Sequence, residues 1–169
     1  MKTLLIPTDF KLESLNAVSR LVDTLYPEKL NIVMVHTLAI TDSMGELALL
    51  SRRSAEYRLI SAEFYNACTR LKQQHADTIE KIDVTFFYGY TMATFRNFLE
   101  AQQIDAIVKL VGYNYELLTE KSINPDNLIQ RCGKEIILTS TKPVERGPQA
   151  EIEVEADAEQ MLALEEESV

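Results

Sequence analysis

Five short segments are dense in aliphatic and β-branched residues: KTLLIPT at 2–8, LNIVMVHT at 30–37, IDVTFFYG at 82–89, DAIVKLVG at 105–112 and KEIILTST at 134–141. Nearly continuous apolarity over six to eight positions is the pattern of strands covered on both faces. Between them the spacing changes to threes and fours. Leu15, Val18, Val22 and Leu25 line one side of a helix from Ser14 to Leu25, which Pro27 stops. Residues 38–46 read as a loop. A long helical stretch then runs to Ile79, with Tyr57, Ile60, Phe64, Cys68 and Leu71 on one face. Met92–Gln103 forms a further helix that buries Phe95, Phe98 and Leu99.

The segment at 124–133, NPDNLIQRCG, carries the fullest set of helix punctuation. Asn124 is the N-cap, Pro125 takes the first helical position, Asp126 lies in the first turn and Gly133 follows the end. Lys109 is the awkward residue among the strands. A charge in a central strand must reach solvent or face an acid, so Lys109 belongs near a strand end or opposite a carboxylate.

Five strands alternating with four helices predict an α/β domain: a parallel sheet with helices on both faces and right-handed crossovers. Ligands on such sheets sit beyond the carboxyl ends of strands, where strand order reverses. Asp9 stands just beyond the first strand. Two readings follow: Asp9 contacts a ligand there, or it accepts amide hydrogens at the start of the first helix.

Charge and composition narrow the function classes. The chain has 169 residues and a net charge of -9, of which residues 143–169 hold -8 and residues 1–142 only -1. The acidity therefore belongs to a tail, expected to be mostly flexible, and the body at 1–142 is the single domain. A nearly neutral body offers no basic face for nucleic acid. No apolar run reaches the 18 or more residues of a membrane span, so no membrane partner is expected. Pro7 and Asp9 interrupt any signal-peptide core, which makes the cytoplasm the expected location. Cys68 and Cys132 form no paired motif, and His36 and His75 are far apart, so no metal site is expected.

LLIPTDF, followed by Ser14, Leu15 and Ala17, and NIVMVHT with its histidine near the strand end, resemble the universal stress proteins. DAIV opening the fourth strand and the final helix–strand pair match as well, so the resemblance covers residues 2–141. It implies a five-stranded sheet of order 3-2-1-4-5 and homodimers, often paired through strand five. Many members bind ATP, and the adenine-side positions would here be Pro7, Thr8, Asp9 and Thr37. Their phosphates rest on a glycine motif after strand four, G-x2-G-x9-G followed by serine or threonine. Bare backbone amides must approach phosphate oxygens, and a Cβ would hold them away.

The chain departs from that motif at each glycine. Leu110 and Tyr113 fall on the first two glycine positions, and Ser122-Ile123 on the final pair. Gly112 fits only after a slip of two residues, which puts Tyr115 and Pro125 on the others. Glu116, Glu120 and Asp126 line the same stretch, with Lys121 the lone base. One like-charge contact at about 5 Å and an effective dielectric near 20 opposes a phosphate by about 3 kcal/mol before solvent screening.

Four tyrosines, Tyr88, Tyr90, Tyr113 and Tyr115, fall at or just past the ends of strands three and four. They either line a pocket for another small molecule or fill the empty nucleotide cleft. His36 is a strand-end structural residue or a functional one. Arg52, Arg53 and Arg58 form a solvated helix face and the densest basic cluster open to the acidic tail. No nucleophile–base–orienter set emerges, so an enzyme is not expected. The expectation is a homodimeric regulatory or interaction module in stress response, with an unidentified protein partner and without ATP as cofactor. The alternative is an adenine-nucleotide switch with an altered phosphate loop.

Overall fold

The structure is a computed structural model that describes residues 1–39 and 54–143. Five strands form one parallel sheet: β1 (Lys2–Pro7), β2 (Leu30–Leu38), β3 (Ile79–Tyr88), β4 (Ala106–Val111) and β5 (Glu135–Ser140). Their order is β3-β2-β1-β4-β5, with every neighbouring pair parallel. The helices are α1 (Asn16–Leu25), α2 (Ala62–Gln74), α3 (Met92–Ala101) and α4 (Asp126–Arg131). A 3-10 turn at Leu12–Leu15 leads into α1, and a one-turn helix occupies Ser54–Tyr57.

Alternation along the strands divides the core into two layers. Leu4, Ile6, Ile32 and Met34 pack with Val18, Leu21 and Val22 of α1 and Phe64 and Cys68 of α2. Leu5, Val33, Val35 and Ile107 face the other way, onto Phe95 and Leu99 of α3 and Leu128 and Ile129 of α4. Each fully buried aliphatic or aromatic side chain contributes about 1.5–3 kcal/mol, so both layers hold the helices on the sheet. Burial lifts the Cys68 thiol to about 11, which suits a core residue and not a nucleophile.

Two expected elements differ. The helical stretch running to Ile79 is split: the chain leaves the helix after Tyr57 and restarts at Ala62. Ser61 causes the restart, because its side chain accepts from the Phe64 amide at 3.1 Å as an N-cap. β3 begins at Ile79, three residues before the expected 82, because Ile79 is buried and pairs with Leu30, and an irregularity beside Leu30 and Asn31 absorbs the extra residue. At α4, Asn124 accepts from the Asp126 amide at 3.0 Å, and Gly133 adopts φ 81° just past the helix. Lys109 is half-buried and stands beyond the last β1–β4 pair, with β5 as its one strand neighbour. The acidic tail beyond Pro143 and the arginines Arg52 and Arg53 lie outside the described residues; Arg58 is exposed.

Candidate functional site at the strand tips

β1 and β4 pair only through Leu4–Ala106 and Leu5–Ile107. Past these the sheet's central strands separate, at the position where strand order reverses and ligands of such folds sit. In this chain the segment after β4 occupies that position. Gly112, at φ 67°, turns the chain out of β4. The segment then crosses the end of β1 to reach β2. Ile123 N donates to Thr37 O at 3.0 Å, Ala39 N to Lys121 O at 2.7 Å, and Leu38 and Ser122 form an antiparallel bridge.

Asp9 is 1% exposed and its carboxylate is engaged on both oxygens. Oδ1 accepts the Tyr113 hydroxyl at 2.5 Å and the Lys11 amide at 3.2 Å; Oδ2 accepts the Glu116 amide at 3.1 Å. The Lys11 contact is the helix-start role, since Lys11 immediately precedes the 3-10 turn. The other two tie the segment after β4 to the tip of β1. Outside this lid, Lys11 Nζ meets Glu116 Oε2 at 2.5 Å, an exposed pair that raises the lysine's pKa. Burial first, and then the bond to Asp9, push the Tyr113 hydroxyl above its usual value.

His36 is fully buried and is the second anchor. Nδ1 lies 2.8 Å from Thr8 O, Nε2 lies 2.7 Å from Ser122 Oγ, and the Tyr115 hydroxyl is 2.6 Å from Nδ1 and 2.8 Å from Thr8 O. One tautomer satisfies the Thr8 and Ser122 contacts, with the Tyr115 hydroxyl left as a close neighbour of Nδ1. With the proton on Nδ1, the ring and Tyr115 both donate to the Thr8 carbonyl, and Ser122 donates to Nε2 while accepting the Thr119 amide at 3.1 Å. The opposite tautomer would set a bare Nδ1 lone pair against the carbonyl oxygen. Tyr115 also stacks on the imidazole, with centroids 5.5 Å apart and planes 10° from parallel. Burial lowers the pKa of His36, opposed by its bond to the Thr8 carbonyl, so the neutral ring is favoured.

Thr8 is wholly buried, with its hydroxyl 2.8 Å from Ser14 Oγ, and Ser14 donates to Lys11 O at 2.8 Å. Pro7 ends β1 opposite Val35, and Thr37 is buried at 2%. Phe10 follows Asp9 at φ 60°, a conformation costly for an aromatic residue. Its ring is held between Phe64 at 5.6 Å, Phe86 at 5.3 Å and His36 at 5.4 Å, which offsets that strain.

The structure thus brings Pro7, Thr8, Asp9, His36 and Thr37 to one end of the sheet, together with Tyr113 and Tyr115. The other two tyrosines do not join them: Tyr88 reaches toward Glu56 at 3.4 Å and Tyr90 is 54% exposed. Ser122, Ser14 and Thr119 were not legible as partners in the sequence. Ser122 stands where the family resemblance places a glycine, and its contact with His36 spans 86 positions.

Ser122, His36 and the Thr8 carbonyl have the order of a nucleophile, a base and an orienter. The rest of such a site is missing among the described residues. Ser122 is 5% exposed, its own amide is bonded to Thr119 O, and the next amide is bonded to Thr37 O. No amide pair there is open to a developing oxyanion, and Tyr115 roofs the imidazole. Among the described residues no cluster of acids, histidines or cysteines has the make-up of a metal site. A groove of about 380 Å³ lies elsewhere, between α2 and β3, lined by Tyr65, Cys68, Lys72, Ile82 and Val84 among others.

Comparison with solved structures places the fold. The hypothetical protein PH0823 superposes with a TM-score of 0.51 at 14% identity, covering 86% of this chain and 99% of that one. The hypothetical protein MJ0577 gives the same score and identity over 85% and 98%. A universal stress protein solved in complex with cAMP gives 0.46 at 18% identity, over 83% and 98%. No protein-family model matches the sequence, and no curated protein matches it. With its 3-2-1-4-5 parallel sheet, the chain has the universal-stress-protein fold. At these identities the likeness establishes the fold alone, and function has to be argued from the site.

Proposed function

We propose that this protein is a cytoplasmic, homodimeric regulatory or interaction module in stress response, and that its strand-tip site does not take ATP. The observation that carries this reading is the lid: Tyr113 on Asp9, Tyr115 on the Thr8 carbonyl and Ser122 on His36 use the polar groups that a ligand would need. A nucleotide entering there must first break these bonds, leaving buried donors and acceptors unpaired at about 1–3 kcal/mol each. The absent glycines and the acids Glu116, Glu120 and Asp126 oppose phosphate in the same stretch. The exposed edge strand β5, with Leu138 at 66% exposure, supports pairing with a second copy. The test is mass spectrometry of small molecules released from freshly purified, denatured protein. The reading expects no stoichiometric adenine nucleotide. Recovery of one nucleotide per chain would favour the alternative, a switch whose lid swings off the strand tips.

A further inference from the structure

Past Ile107 one face of the sheet is uncovered. Registered residues of a parallel pair project to the same side, so Ile107 shares a face with Ile136, Lys109 with Leu138, and Val111 with Ser140. Ile107 is fully buried in the cluster that includes Leu128 and Ile129 of α4. Beyond it Ile136, Leu138 and Val111 are 37%, 66% and 51% exposed. β5 is also the last strand of the sheet, so its outer backbone groups have no strand neighbour among the described residues. The charged groups around this edge are mostly basic. Lys134 and Lys142 flank β5, Lys109 lies in register with Leu138, and Glu135 is already paired with Lys2 at 2.8 Å.

We propose that Glu151–Glu155, in the acidic segment that follows β5, lies along it as an antiparallel sixth strand and so competes with a second copy of the chain for that edge. The competition rests on the homodimer reading; the added strand does not. The sequence Glu-Ile-Glu-Val-Glu alternates with period two, so Ile152 and Val154 extend the Ile136–Leu138 row while the three glutamates share the opposite side. On that side Arg20 of α1 already reaches the carbonyls of Lys142 and Pro143. Five residues span about 17 Å, close to the length of the six-residue β5 at about 20 Å. Residues 144–150 contain Gly147-Pro148, a turn-forming pair, and an antiparallel neighbour is only about 4.8 Å away. The segment carries -8 over 143–169; the base on the glutamate side is Arg20, Lys134 and Lys142 flank the strand, and Lys109 shares the Leu138 face. Attachment in cis gives it an effective concentration in the millimolar range, which a second copy at micromolar concentration must overcome. In place of the mobile tail expected from its composition, it caps an apolar edge that would otherwise recruit other chains.

The test uses the full chain and its Ile152→Lys/Val154→Lys variant, at a dilution where sedimentation shows monomer. Hydrogen exchange of residues 135–140 should be about tenfold faster in the variant, with β1 and β2 amides unchanged as the control for folding. At higher concentration the variant should dimerise about tenfold more tightly than the parent. Equal exchange of β5 in the two chains overturns the added strand, even if both dimerise. Faster exchange in the variant with no dimer in either chain leaves the added strand standing and removes the homodimer and the competition.

Discussion

The hydroxyl of Tyr113 donates to Oδ1 of Asp9 across 2.5 Å, although 104 positions separate them in the chain. Together with the Glu116 amide on Oδ2 and Tyr115 on the Thr8 carbonyl, this contact closes the gap that opens where β1 and β4 part. Tyr113→Phe removes the donor and keeps the ring. Loss of a hydrogen bond to a charged acceptor should cost about 2 kcal/mol in urea denaturation. Tyr90→Phe, at an exposed tyrosine outside this network, should stay within about 0.5 kcal/mol of the parent.

Asp9→Ala should be costlier. It strands the Tyr113 hydroxyl and the Lys11 and Glu116 amides together, and about 3 kcal/mol of lost stability is expected. A loss of only about 1 kcal/mol would reduce Asp9 to a helix-start acceptor.

His36 gives the fold an acid limb. Its folded pKa lies below the ordinary 6.5, so below that pH the unfolded chain binds a proton that the folded chain refuses. The contribution is complete above about pH 6.5 and drains as the pH falls toward the depressed folded value. The slope reaches up to about 1.4 kcal/mol per pH unit for one proton. Urea midpoints measured between pH 7 and 5 should fall more steeply in the parent than in His36→Gln, which has no imidazole to titrate. Parallel curves would show that His36 protonates freely in the folded state.

Much of the fold was written locally. Apolar runs gave each of the five strands, and the Asn124–Pro125 and Gly133 signals bounded α4, because both depend on neighbours in sequence. The apolar face continues through Ile60 past the break, so periodicity alone predicts one helix running to Ile79, while the cap at Ser61 starts a separate helix that ends at Gln74. At the site, Pro7, Thr8, Asp9 and Thr37 were singled out by resemblance, and the structure sets them on adjacent strand tips. The lid was not legible in the same way. Tyr113 and Tyr115 could be placed near the strand ends, but Tyr115–His36 and Ser122–His36 are long-range pairings that no local pattern encodes.

Leu138→Lys probes the edge of the sheet. The residue is 66% exposed, so the monomer should keep its stability within about 0.5 kcal/mol. Introduced into the Ile152→Lys/Val154→Lys chain, whose edge is free for a second copy, a lysine there should weaken pairing of β5, read as a loss of dimer in sedimentation at tens of micromolar protein. Unchanged dimerisation would place the contact on another surface.

Calorimetric titration of ATP into the full chain tests the closed lid most directly. With Tyr113, Tyr115 and Ser122 holding Asp9 and His36, no saturable heat is expected up to about 1 mM ATP, a free energy weaker than about -4 kcal/mol. Stoichiometric binding tighter than about 10 μM, near -7 kcal/mol, would contradict the account and show that the lid opens for nucleotide.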